Sequence, residues 1–158
     1  MMSRFRMPWA TLVGLSLLVG CSDPFGSGEE RELERAQARW SAAGLQDYQV
    51  DVRLGCFCQA SLPVFTRLTV QAGQVVAADP LTPTPGAEGI PPEAWPTVPG
   101  VFGLIESASH QSDYTEIEAQ YDATLGYPTR VKLRCEEDVL DCGALYELQN
   151  LTPGTGGS

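Results

Sequence analysis

The sequence predicts an α+β domain: a mostly antiparallel sheet of five to six strands with two helices on one face, in the order α-βββ-α-βββ. Three observations point there. Two stretches, near residues 28–43 and 101–111, repeat apolar residues at spacings of three and four. Four shorter stretches alternate apolar with polar residues, the period of a half-buried strand. Two further short apolar stretches complete two runs of three strands, and each run follows one helical stretch.

The first helix is expected over Gly28 to Ala43. Glu29, Glu30, Glu32 and Glu34 crowd its first turns, where the helix dipole favours anions. Leu33, Ala36 and Trp40 form its apolar stripe, and Gly44 is a C-terminal stop. From Asp47 to Cys58, Tyr48, Val50, Val52, Leu54, Cys56 and Cys58 share the inward side of a strand. Asp47, Gln49, Asp51 and Arg53 share the outward side. Val64, Thr66, Leu68 and Val70 mark a second strand, Ala72-Gly73-Gln74 a turn, and Val75 to Ala78 a third strand, giving an antiparallel meander.

Asp79 to Pro99 reads as a loop holding seven of the twelve prolines. A connection of that length is functional or mobile. Trp95 lies within it and is a candidate contact for a partner, with pinning of the loop to the body as the alternative. The second helix follows over Val101 to Gln111, with Phe102, Ile105 and Ala108 on one side. Tyr114 to Asp122 and Thr129 to Cys135 alternate again. Glu116, Glu118 and Gln120 are expected to face Arg130, Lys132 and Arg134 across this hairpin. Leu145 to Leu151 is the last strand, and residues 152–158 form a Gly-rich tail expected to be disordered.

The N-terminus carries an address. Arg4 and Arg6 precede an apolar stretch from Met7 to Val19, and Leu17-Leu18-Val19-Gly20-Cys21 ends it. That is the layout of a secretory signal peptide. Thirteen residues are too few to span a bilayer comfortably, which takes about 20. The Leu-x-Gly-Cys ending resembles the bacterial lipobox, which implies cleavage after residue 20 and lipid (palmitate among the acyl chains) on Cys21. The resulting division is a signal peptide over 1–20, a lipidated tether over 21–28, one domain over 29–151 and a tail over 152–158. Ser22 directly after the cysteine points to the outer membrane, on its periplasmic side, rather than the inner membrane.

The chain has a formal net charge of −10, and removing the leader takes away Arg4 and Arg6 as well. No Lys or Arg occurs between Arg67 and Arg130, where eight acidic residues lie. Such a surface repels phosphate backbones, so no nucleic-acid partner is expected. The membrane contact falls to the lipid on Cys21, and the partner is an envelope protein or small ligand of unknown identity. A monomer is expected.

Assigning Cys21 to lipid leaves four of the five cysteines: Cys56, Cys58, Cys135 and Cys142. An even remainder in an exported chain reads as disulfides. The preferred connectivity is Cys56–Cys58 with Cys135–Cys142; the crossed pairings and free thiols remain open. Residues two apart on a strand sit near the upper limit for a bridge, at roughly 6.5–7 Å between Cα atoms. A strained Cys56–Cys58 bridge would be easily reduced, which makes a redox or metal-handling role the alternative function. The cysteine spacings do not match a zinc ribbon. Glu136, Glu137, Asp138 and Asp141 lack the spacing of a calcium loop. His110 is the one histidine. Ser107, Ser109 and Asp113 lie beside it along the chain, and neighbours on one helix rarely converge into a triad. No catalytic residue, metal or cofactor is therefore expected, and the chain reads as a non-catalytic binding or structural module rather than an enzyme.

Several landmarks recur together: Trp40, Tyr48, Cys56-Phe57-Cys58, Pro63-Val64, Gly73-Gln74-Val75-Val76, and Tyr121-Asp122-x3-Gly126-Tyr127-Pro128-Thr129. Over about residues 36–151 they resemble the uncharacterised bacterial lipoprotein family known as domain of unknown function 6174. The resemblance implies export and an intact fold. It implies no activity.

Overall fold

The computed structural model describes residues 26–56, 62–83, 90–135 and 143–154. Helix α1 spans Ser27–Ala43, strands β1, β2 and β3 span Tyr48–Cys56, Leu62–Gln71 and Gln74–Pro80, and α2 spans Val98–Ser109. Strands β4, β5 and β6 span Tyr114–Tyr121, Pro128–Cys135 and Ala144–Pro153. The order is α-βββ-α-βββ, an α+β fold on a six-stranded sheet.

All neighbours are antiparallel, in the spatial order β3-β2-β1-β6-β5-β4. Two meanders therefore meet where the first strand pairs with the last. Chain neighbours β3 and β4 sit on opposite edges, so the segment between them crosses the whole sheet. Across the β4–β5 hairpin, Glu116 pairs with Arg134, Glu118 with Lys132 and Gln120 with Arg130, the register expected from the alternation.

Helix α1 begins where the Glu29 carboxylate accepts the Gly26 N–H at 2.6 Å. This satisfies the N-cap N–H from the third helical position, as in a capping box. It ends at Gly44, whose φ of 62° lets its N–H return to the carbonyls of Trp40 and Ser41. Helix α2 starts three residues before its expected position. Thr97 caps it by accepting the Gly100 N–H at 3.2 Å. Pro99 is tolerated in the first turn because its missing N–H would have no partner there.

The expected loop over 79–99 is shorter than its prolines suggested. Strand β3 runs through Pro80, a 3₁₀ turn occupies Pro92–Ala94, and α2 takes over at Val98. Proline at the end of an edge strand costs no ladder bond. Trp95 is 5% exposed, packed into the core beneath the crossover. Its ring thus pins the loop to the body, the reading set beside a partner contact, and is withdrawn from the surface where such a contact would form.

The core fills the space between helices and sheet. Val50, Val52, Leu68, Val131 and Ile117 from the strands meet Leu33, Ala36, Val101, Phe102 and Ile105 from the helices. The Trp40 ring stands edge-on to Tyr48 with centroids 5.4 Å apart. The Tyr48 hydroxyl accepts the buried Val98 N–H at 3.0 Å, which ties the first strand to the start of the second helix. Burial pushes the Tyr48 pKa up, and that bond opposes the shift.

Candidate functional site

Three places bring polar side chains together: the turn between β4 and β5, the open face of the sheet, and a trench between the helices.

The first is a clamp. The Asp122 side chain accepts the N–H groups of Thr124 and Leu125 at 2.9 and 2.6 Å, and its carbonyl accepts that of Gly126 at 3.0 Å. Gly126 adopts φ +80° and lies against α1: a Cβ there would come within 2.9 Å of the Arg39 Cβ and 3.1 Å of the Ala36 carbonyl carbon. Tyr121 stacks on Phe102 with centroids 6.2 Å apart. Burial, with Glu32 and Glu29 adding to it, pushes the Tyr121 pKa up. Tyr127 is buried as well. The Tyr-Asp-x3-Gly-Tyr-Pro stretch thus holds a hairpin against a helix, and its residues have structural reasons to be what they are.

The open face has a different character. Asp51, on the outward side of β1, is only 1% exposed. Arg67 of β2 donates to both its oxygens at 2.8 and 3.1 Å, and Asn150 of β6 donates to one at 3.0 Å. Asn150 reaches it from φ +54°, where β6 carries one extra residue opposite Gln49–Asp51. Burial pushes the Asp51 pKa up, but the bonds from Arg67 and Asn150 and the Arg67 charge together outweigh it, so the carboxyl is held below its ordinary value. Beside it, Glu147 receives Arg53 from β1 and Arg130 from β5, a cross-strand row over three strands. Arg53 also lies over the Phe65 ring, 5.0 Å from its centre. A carboxylate with both oxygens engaged by donors and kept ionised is a poor proton acceptor, so this cluster suits shape and charge recognition better than acid–base chemistry.

The trench lies between α1 and α2, with a volume of about 520 Å³. Trp40, Tyr48 and Phe102 form its floor, and Gly103 and Pro99 of α2 line one wall. At its rim the Gln37 amide donates to Glu106 at 2.6 Å, linking the helices across the opening. A second cavity of about 580 Å³ sits at the end of the sheet among Asp47, Gln49, Ala72 and Thr152, lined mainly by turn and strand-end residues.

The sequence-derived candidates distribute as follows. Cys21, Cys58 and Cys142 lie outside the described residues, as do Glu136, Glu137, Asp138 and Asp141; of Cys56 only the backbone, at the end of β1, is described. Cys135 is disulfide-bonded. Trp95 is buried. His110 caps the end of α2 on the surface, while the Ser109 hydroxyl donates to the Glu106 carbonyl and the Ser107 hydroxyl accepts from Gln111. No group of three His, Cys, Asp or Glu residues among the described ones could hold a metal ion. Among the described residues no helix is long and apolar enough to cross a membrane.

Sequence reasoning missed the Asp51–Arg67–Asn150 cluster and the trench. Asp51 was legible as outward-facing. Its closure was not, because that depends on Arg67 and Asn150 arriving from strands 16 and 99 residues away.

A family model described as a family of unknown function, DUF6174, matches residues 32–153. No curated protein and no solved structure matches the chain.

Proposed function

We propose, from the premise that the chain belongs to the DUF6174 family of unknown function, that it is an exported lipoprotein held at the cell envelope by Cys21 and acting as a binding or structural module without catalysis. One observation carries the anchoring: Arg4 and Arg6, an apolar stretch over Met7 to Val19, and Gly20-Cys21 at its end. Lipobox processing supplies several acyl chains, and two or more hold a protein stably at a bilayer. The chain's net charge of −10 offers anionic headgroups no net attraction, so the lipid makes the membrane contact.

The polar groups favour binding over reaction. Asp51 is saturated by Arg67 and Asn150, and Glu147 is shared by two arginines. Neither pairs a nucleophile with a free base. Export also supports a bridge between Cys135 and Cys142. Leu133 pairs with Ala144, and each cysteine lies two positions beyond its own member of that pair.

The test is intact mass spectrometry of the chain from a bacterial envelope, with Cys21→Ser beside it. The expected mass is that of a chain starting at Cys21 with diacylglycerol attached, and the variant is expected to lose the lipid and leave the membrane fraction. A retained leader with a bare thiol at Cys21 would overturn the reading. Non-reducing peptide mapping of the same sample is expected to join Cys135 to Cys142.

A further inference from the structure

We propose that the trench between α1 and α2 is a binding site for a small organic cation, an ammonium group carried on a short apolar body. The inference deepens the binding-module reading and rests on it.

The shape comes first. Gln37, Trp40 and Ser41 of α1 and Phe102, Gly103 and Glu106 of α2 line the opening from two sides, and the turns at 44–46 and 73 complete its lining. They recur at the three- and four-residue spacing of single helix faces. Facing helix sides normally fill the space between them with apolar side chains. Here small residues stand at 41, 44 and 103, and a single rim bond from Gln37 to Glu106 spans the gap. Gly103 is the informative residue. Glycine inside a helix is unfavourable, and such a residue ordinarily repays that by letting something approach closely. Yet a Cβ at Gly103 would meet nothing within 4 Å. Gly103 is exposed, so that Cβ would stand in open space at the mouth of the trench. A volume of about 520 Å³ falls within the range of small-molecule sites.

The chemistry follows from the lining. Glu106 is its one charged residue, and among the described residues its side-chain partner is the neutral Gln37 amide. Below lie Trp40, Tyr48 and Phe102, each at most 7% exposed, which give the opening an apolar base against which an alkyl group can rest. A chain of net charge −10 attracts cations and repels carboxylates. An ammonium would displace the Gln37 amide from Glu106 and leave its apolar body against the aromatic floor.

The test is an NMR titration of the full chain in detergent with n-butylammonium, n-butanol and butyrate, three probes of one size and three charges, too short to partition strongly into the micelle. The readouts are the Trp40 indole and Gly103 amide signals. Butylammonium is expected to shift both saturably, about two- to fivefold tighter than butanol, the scale of one partly exposed ion pair; butyrate is expected to shift neither. Glu106→Gln is expected to erase the preference for the ammonium over the alcohol. Gly103→Leu, which suits a helix better than glycine, is expected to abolish the shifts while unfolding no earlier than the parent. Equal responses to all three probes, no response to butylammonium, or full binding by Gly103→Leu would each overturn the site. Acylation of Cys21, read by mass on the same sample, remains a separate outcome, so failure of the site and failure of the anchored-module reading are told apart.

Discussion

The helix-covered face and the open face of the same sheet bury side chains by different means. Under the helices, burial is apolar and periodic: Val50, Val52, Leu68, Val70 and Val131 are each at most 1% exposed. On the open face Asp51 is equally closed, yet it is charged and no helix among the described residues covers it. Arg67 and Asn150 close it instead, with the arginine itself 45% exposed. The covered face excludes water by packing density. The open face does so locally, by bonding one carboxylate from two neighbouring strands. Exposure of a sheet face is therefore not exposure of every residue on it.

The largest test lies where the covered face is clamped. Gly126→Ala puts a side chain against the Ala36 carbonyl in a left-handed backbone, φ +80°. The conformation alone costs about 1–2 kcal/mol, and α1 must also shift away from the hairpin. A loss of about 3 kcal/mol is expected in urea unfolding under non-reducing conditions. A loss below about 1 kcal/mol would mean that the hairpin does not bear on the helix.

Asp51→Asn is the matching test on the open face. It keeps the shape but removes the charge and turns an acceptor into a donor facing Arg67. Because Arg67 is 45% exposed, water and salt compensate part of the loss, leaving about 1–2 kcal/mol at neutral pH. The carboxyl is held below its ordinary pKa when folded. Its stabilisation is thus full above the unfolded value, near 4, and is lost as pH falls through the lower folded one. The wild type should lose this contribution in acid and the Asn variant should show a shallower acid slope. Identical slopes would place the ionisable partner of Arg67 elsewhere.

A smaller effect of opposite sign is expected beneath the helices. Thr66 points into the core, is 1% exposed, and its hydroxyl has no hydrogen-bond partner among the described residues. Thr66→Val removes an unsatisfied polar atom at nearly constant volume and should stabilise the fold by about 1 kcal/mol. A destabilised variant would show that the hydroxyl is bonded, by an ordered water for instance.

These cases show what the chain disclosed before folding. Element order, the inward sets Tyr48/Val50/Val52 and Val131/Leu133, and the pairing of Glu116, Glu118 and Gln120 with the basic strand were legible, because alternation is a local signal. The start of α2 was obscured by Pro96 and Pro99, which read equally well as loop or as the first turn of a helix. The placement of β6 beside β1 was not legible, since nothing local distinguishes it from a simple succession of neighbouring strands. The candidate sites depend on that placement. Asp51 closes only because Asn150 arrives from β6, and the trench exists only because the crossover from β3 to β4 lays α2 beside α1.

The smallest effect tests how special Asp51 is among the charges of its face. Lys132 lies 3.6 Å from Glu118, and Arg134 lies 3.0 Å from Glu116 and 3.8 Å from Glu118, all in positions 29–52% exposed. In such positions water and salt replace a lost partner. Glu116 remains to Arg134 when Glu118 is neutralised, so Glu118→Gln strips no buried group of its partner. Its cost should be below about 0.5 kcal/mol and vanish in high salt. The cost of Asp51→Asn should survive in part, because the hydrogen bonds to a closed carboxylate are not screened away. Two variants on one face, one salt-sensitive and small, the other larger and partly salt-resistant, would separate charge that is solvated from charge that is enclosed. Equal costs with equal salt dependence would reduce the open face to a single solvated ladder, with Asp51 as one rung among the rest.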